Sequence, residues 1–113
     1  VNYIHTLDIA HPPVTSDEAE IIVQTEIRKI KNSNSLRVLK IIHGYGSKGR
    51  GGTLKEVVRN WLFKHRNDYR AVIAGENASI FNSEILKILQ TCGTSNDDDL
   101  RVSNLGLTIV WVK

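Results

Sequence analysis

The chain reads as an α/β domain with a mixed four-stranded sheet in a two-layer sandwich, in the order β-α-β-α-β-(α)-β. Three observations predict it. Short β-branched runs alternate with stretches of helical apolar spacing, which implies crossover connections onto a sheet. Capping boxes stand ahead of two of those stretches. A glycine-rich segment then follows the most apolar run directly, as it does where a strand turns into a helix.

In chain order, Tyr3 to Ile9 is the first candidate strand, and His11-Pro12-Pro13 ends it because proline cannot donate to a ladder. Thr15-x-x-Glu18 is a capping box, after which Ala19, Ile22, Val23, Ile27 and Ile30 recur on one helical face as far as Lys31. Leu36 to Ile42 is a buried central strand. Thr53-x-x-Glu56 is read as a second capping box, opening a helix that carries Leu54, Val57, Val58, Trp61 and Leu62 at i, i+3, i+4, i+7 and i+8. Arg70 to Ala74 is a third strand. Phe81 to Leu89 suggests a further helix ending before Gly93, and Leu105 to Val112 closes the sheet. Residues 1–113 are thus a single domain with an extended segment at 75–104, and no internal repeat or second domain is present.

Length and composition fit this. The 113 residues suit one core, with 41% apolar and 24% charged residues, as in ordinary globular domains. No apolar run approaches the roughly 20 residues that span a bilayer, so no membrane partner is expected. Cys92 is the lone cysteine, which excludes an internal disulfide or a cysteine-based zinc cluster and suits a reducing, cytoplasmic setting. The chain opens on Val1, which suits a domain tethered within a larger protein.

The formal charge of +3 conceals segregation. Between Arg37 and Arg70 lie nine Lys/Arg against Glu56 and Asp68, a net of +7, which leaves −4 on the remainder. Phosphate backbones are the commonest partners of such a patch, and an unevenly charged solvated surface is the plain alternative.

The segment His43-Gly44-Tyr45-Gly46-Ser47-Lys48-Gly49-Arg50-Gly51-Gly52 sits at the centre of that charge. Glycines let successive N–H groups approach an anion, and the following helix adds its positive end. Lys48, Arg50, Lys55 and Arg59 supply full charges, and Tyr45 could stack on a base or pack on its own loop. Gly44 to Gly49 is a literal G-x-G-x-x-G, but a dinucleotide fold opens its helix within the motif and continues through further βα units. The P-loop pattern fails as well, because Gly52 stands where lysine is required.

The strand Leu36–Ile42, the turn His43-Gly44-Tyr45-Gly46, the basic residues after it and the helix Leu54–Leu62 together resemble the core of the Smr (small MutS-related) domain. That family ends in a Gly-x-Thr-x-Val strand, matched by Gly106-Leu107-Thr108-Ile109-Val110. It begins with Leu-Asp-Leu-His-Gly, which Leu7-Asp8-Ile9-Ala10-His11 resembles with one extra residue before the histidine and Pro12 in place of the glycine. The resemblance implies a fold similar to the C-terminal domain of translation initiation factor three. It also implies DNA or RNA as partner and endonuclease activity hydrolysing or nicking phosphodiester bonds. Carried over by position, Asp8, His11 and His43 are the catalytic candidates, with Gly44 and Gly46 shaping the turn. A histidine near neutral pKa moves protons, and Asp8 would orient it or bind hydrated Mg²⁺, a cofactor this chemistry admits without requiring. A non-catalytic nucleic-acid-binding module is the second reading. A protein-docking domain using the Phe81–Gln90 helix is the third.

Overall fold

The computed structural model describes residues 2–45 and 51–113. Strands β1 (Ile4–Asp8), β2 (Val38–Ile42), β3 (Ala71–Ala74) and β4 (Leu107–Trp111) form one mixed sheet in the order β1-β2-β4-β3. β1 runs parallel to β2, with Ile4 opposite Val38 and Asp8 opposite Ile42. β4 is inserted antiparallel between β2 and β3. Helix α1 (Ser16–Lys31) joins β1 to β2, α2 (Gly51–Lys64) joins β2 to β3, and α3 (Ser83–Cys92) lies between β3 and β4.

α1 starts where its capping box predicts. The Thr15 side chain accepts from the Glu18 N–H, and the Glu18 carboxylate accepts from the Thr15 N–H. α2 departs from the expected start. It is already helical at Gly51, so Thr53 lies in its first turn and is not its cap. The burial of Leu54, Val58 and Leu62 fixes where this helix sits, and a local capping preference is weak beside that packing.

Residues alternate across the sheet, so each strand serves two faces. Leu39, Ile41 and Val110 meet Ala19, Val23, Ile27 and Ile30 of α1 and Leu54, Val58 and Leu62 of α2, which gives the expected two layers. The opposite face presents Ile4, Val38, Ile73, Leu107, Ile109 and Trp111 to Ile85 and Ile88 of α3 and to Ala78 and Leu100. The 75–104 segment therefore adds cover on the far side. The sequence already carries the need for it, since every β4 residue is buried and an uncovered face would expose three of them. Lys40 points to this far side and is held by Asp97 at 2.7 Å and Asp99 at 2.8 Å.

Gly75 anchors the segment. A Cβ there would run into the backbone oxygens of Asn104 and Leu107, so only glycine fits. At the amino end of the sheet, Arg37 N–H donates to the Tyr3 carbonyl and Val112 N–H donates to the Arg37 carbonyl, bringing both ends of the chain together.

Candidate nucleic-acid interface

β1, β2 and β3 are parallel to one another, so Asp8, Ile42 and Ala74 end at one edge of the sheet, where β4 begins. Ligands of open α/β sheets collect at the carboxyl ends of the strands. The turn after β2 is pinned there. The N–H groups of His43 and Gly44 both donate to the Gly106 carbonyl, at 3.0 and 2.9 Å. Gly44 takes φ +75°, a left-handed conformation that favours glycine. A Cβ on Gly106 would lie 3.3 Å from the Tyr45 ring and 3.6 Å from Gly44 Cα, so the ring rests over that glycine while 59% of Tyr45 stays exposed.

His43 turns inward from this edge and is fully buried. Its Nδ1–H donates to its neighbour's carbonyl, Gly44 O, at 2.6 Å, because a carbonyl can only accept. Nε2 must then accept from the Thr108 hydroxyl at 2.8 Å, and Thr108 Oγ1 accepts in turn from Arg59 Nε at 2.9 Å. Every donor in the chain has an assigned direction only if His43 is neutral. Burial pushes its pKa down to about 4, and the charges of Arg59 and Lys55 press the same way, against the Gly44 carbonyl and Glu76. No phosphate can reach its ring in this arrangement.

Arg59 is occupied as well. Its guanidinium meets both oxygens of Glu76, at 3.0 and 2.6 Å, and also donates to the Leu107 carbonyl at 3.1 Å. The Arg59 hydrogen bonds hold the Glu76 carboxyl at about pKa 2 against the opposing effect of burial. Lys55, one turn earlier on the same helix, is half-buried and has no hydrogen bond or ion pair among the described residues. Gly46, Lys48 and Arg50 lie outside the described residues.

Asp8 and His11 come together. His11 Nδ1 lies 2.9 Å from Asp8 Oδ2, and the Ala10 and His11 backbone N–H groups donate to Oδ1 at 2.8 and 3.2 Å. Burial works against the Asp8 charge, but these donors outweigh it and hold the carboxyl below its ordinary range. The extra residue between the two does not separate them, because Ala10 and Pro13 form a bridge that closes the turn. The His11 side chain is exposed, and its Nε2 makes no hydrogen bond among the described residues.

Other charges of the basic stretch lie away from this turn. Lys40 faces Asp97 and Asp99 on the far side of the sheet, the Arg70 guanidinium lies 4.0 Å over Trp111, and Arg66 lies 4.3 Å over Phe63. Glu76 and Thr108 are the members of the network that reading the sequence for function did not single out. Thr108 stands in the Gly-x-Thr-x-Val pattern, whereas nothing in the sequence around Glu76 marks it. Among the described residues no three His, Cys, Asp or Glu side chains group as metal ligands, and three N–H donors already occupy the Asp8 carboxylate.

Fold and edge together define a class: an α/β domain with a glycine turn, a helix N-terminus and an aspartate–histidine pair on the carboxyl edge of its sheet. The family model for the Smr domain matches residues 12–81, and the chain belongs to that family, which is associated with nucleic-acid binding and nicking endonuclease activity. The crystal structure of the Smr domain of Thermus thermophilus MutS2 is similar at a TM-score of 0.55 and 15% identity, covering 99% of each chain; at that identity the likeness is one of fold. Comparison with curated proteins finds no match. No helix among the described residues is long and apolar enough to cross a membrane.

Proposed function

We propose that this domain binds nucleic acid at the carboxyl edge of its sheet and hydrolyses a phosphodiester bond there, with Asp8 and His11 as the proton-transferring pair. The observation that carries the reading is the Asp8–His11 contact. An ionised Asp8 keeps the proton on Nδ1, which leaves the Nε2 lone pair facing solvent as a general base. Nε2 takes a proton from a water molecule as the water oxygen bonds to phosphorus. The bond from phosphorus to the leaving oxygen breaks, and that oxygen departs with the electron pair and is protonated by His11. Lys55, the N-terminal end of α2, and Lys48 and Arg50 in the connecting segment would neutralise the phosphate. Tyr45 is the exposed aromatic of the turn. His43, Gly44 and Arg59 act as positioning residues, holding the turn from beneath. No step is routed through Mg²⁺, since the donors around Asp8 suit a histidine partner better than a metal.

A second reading is favoured by the span of the family match, which begins at residue 12 and leaves out Asp8 and His11. On that reading the domain binds without cutting. Nicking of supercoiled plasmid and cleavage of labelled single-stranded RNA by the wild type, Asp8→Asn and His11→Ala separate the two. Cleavage that falls at least 100-fold in both variants, with an unchanged gel shift, supports the hydrolase. A salt-sensitive gel shift with no cleavage by the wild type replaces it with the binding module.

A further inference from the structure

Beyond the turn, an open groove of about 530 Å³ runs between α2 and the edge strand β3. Its size falls within the roughly 300–1,000 Å³ of sites that hold small molecules. It exists because α1 and α2 cover β1, β2 and β4, whereas the corresponding face of β3, with Val72, has no helix above it among the described residues. One end is closed by Arg59 and Thr108, the pair that supports the His43 turn, so the groove begins directly under the carboxyl edge. Further along it is lined by Phe63, Arg66, Asn67 and Arg70.

Two features point to what fits there. The first is Phe63, which is 64% exposed although it belongs to a helix whose other large apolar residues turn inward. Its ring is held by Arg66, whose guanidinium covers one face at 4.3 Å and donates to the Phe63 carbonyl at 2.9 Å. That leaves the second ring face for another flat group. The second feature is charge. Arg59, Arg66 and Arg70 line the groove and no carboxylate does among the described residues, but Glu76 pairs with Arg59 and the Arg70 guanidinium turns to Trp111 on the other face of the sheet, so Arg66 is the charge beside Phe63. A flat apolar platform flanked by an unneutralised guanidinium group is complementary to a nucleobase with its phosphate, and the face of a base is free to stack only when its strand is unpaired.

We infer that the groove between α2 and β3 is a binding site for an unpaired nucleotide, with the base stacked on Phe63 and its phosphate met by Arg66, so that the domain selects single-stranded over duplex nucleic acid. The inference rests on the proposed nucleic-acid function and gives it a substrate class.

The test is fluorescence anisotropy with labelled oligo-dT, the same strand made abasic, and a dA·dT duplex, using wild type, Phe63→Ala and Phe63→Tyr. Phe63 is exposed, so its truncation leaves the core intact, and a melting curve checks this. The expected result is oligo-dT binding about tenfold weaker in Phe63→Ala and retained in Phe63→Tyr. The abasic strand should bind both variants as it binds wild type, and weaker than oligo-dT binds wild type. Equal affinity of Phe63→Ala and wild type for oligo-dT overturns the groove assignment while leaving nucleic-acid binding in place. So does a loss that is equally large for the abasic strand. If the wild type binds no strand, the proposed function itself falls and the groove assignment falls with it.

Discussion

The Thr108 hydroxyl donates to Nε2 of His43 at 2.8 Å, across 65 positions of sequence, and makes the histidine of the H-G-x-G turn part of the core. The histidine orients the turn by donating its single ring N–H, at Nδ1, to the Gly44 carbonyl. Removing the hydroxyl strands two buried donors or acceptors at once, Nε2 of His43 and Nε of Arg59. Thr108→Val should therefore lower stability by about 2–6 kcal/mol, at roughly 1–3 kcal/mol for each unsatisfied group. Urea unfolding at pH 7 measures it, and an unchanged midpoint would remove the network from the account.

Stability should also fall in mild acid because of His43. Its pKa is about 4 in the folded protein against 6.5 unexposed to the fold, so between those values the unfolded chain binds the extra proton. The contribution, about 3 kcal/mol, is complete above pH 6.5 and lost as pH falls toward 4. The Glu76–Arg59 pair acts lower, from 4.5 down to about 2, so the two windows separate. Thermal midpoints recorded at pH 5 and pH 7 should differ less in His43→Gln than in wild type.

Lys55 and Arg59 stand one turn apart on α2 and should behave oppositely. Lys55→Ala is expected to weaken nucleic-acid binding and reduce the salt slope by about 1 while leaving the melting temperature unchanged. Arg59→Ala removes the partner of Glu76 and of Thr108, and should cost about 1–3 kcal/mol of stability. Gel shifts over a salt series, with melting curves alongside, distinguish them. Equal loss of binding without loss of stability would show Arg59 to be a direct contact.

Gly75→Ala should destabilise the domain by about 3 kcal/mol or more, since the new methyl would overlap two backbone oxygens that no rotamer change can move. Gly106→Ala meets side-chain atoms of Asn104 and Tyr45 at 3.2 and 3.3 Å, with Gly44 Cα in ordinary contact at 3.6 Å. It should displace Tyr45 and alter binding more than stability. Denaturation of the two variants side by side checks the contrast.

If Asp8 serves His11 and not a metal ion, EDTA should leave the cleavage rate within about twofold, whereas Asp8→Asn removes at least 100-fold. Complete loss in EDTA, restored by Mg²⁺, would transfer the role of Asp8 to metal binding.

Much of this architecture is legible in local sequence. The Thr15–Glu18 box starts α1 in place, the apolar spacing of Leu54, Val58 and Leu62 marks the buried face of α2, and the break at Gly93 ends α3. What local reading misses depends on distant partners. Lys40 and Arg59 look like part of one basic surface until Asp97, Asp99 and Glu76 fold onto them. The seclusion of His43 depends on Thr108, and no window around residue 43 contains it. Nothing in the sequence around Phe63 marks it, because its exposure follows from β3 having no helix over it among the described residues.

Residues 3, 37 and 112 are clamped together at the end of the sheet farthest from Asp8 and Gly44. Both chain ends thus leave from the side opposite the proposed working edge, within reach of a short linker. The domain can in consequence be spliced into a loop of a host protein, circularly permuted, or fixed to a surface by either end, with its glycine turn still facing outward.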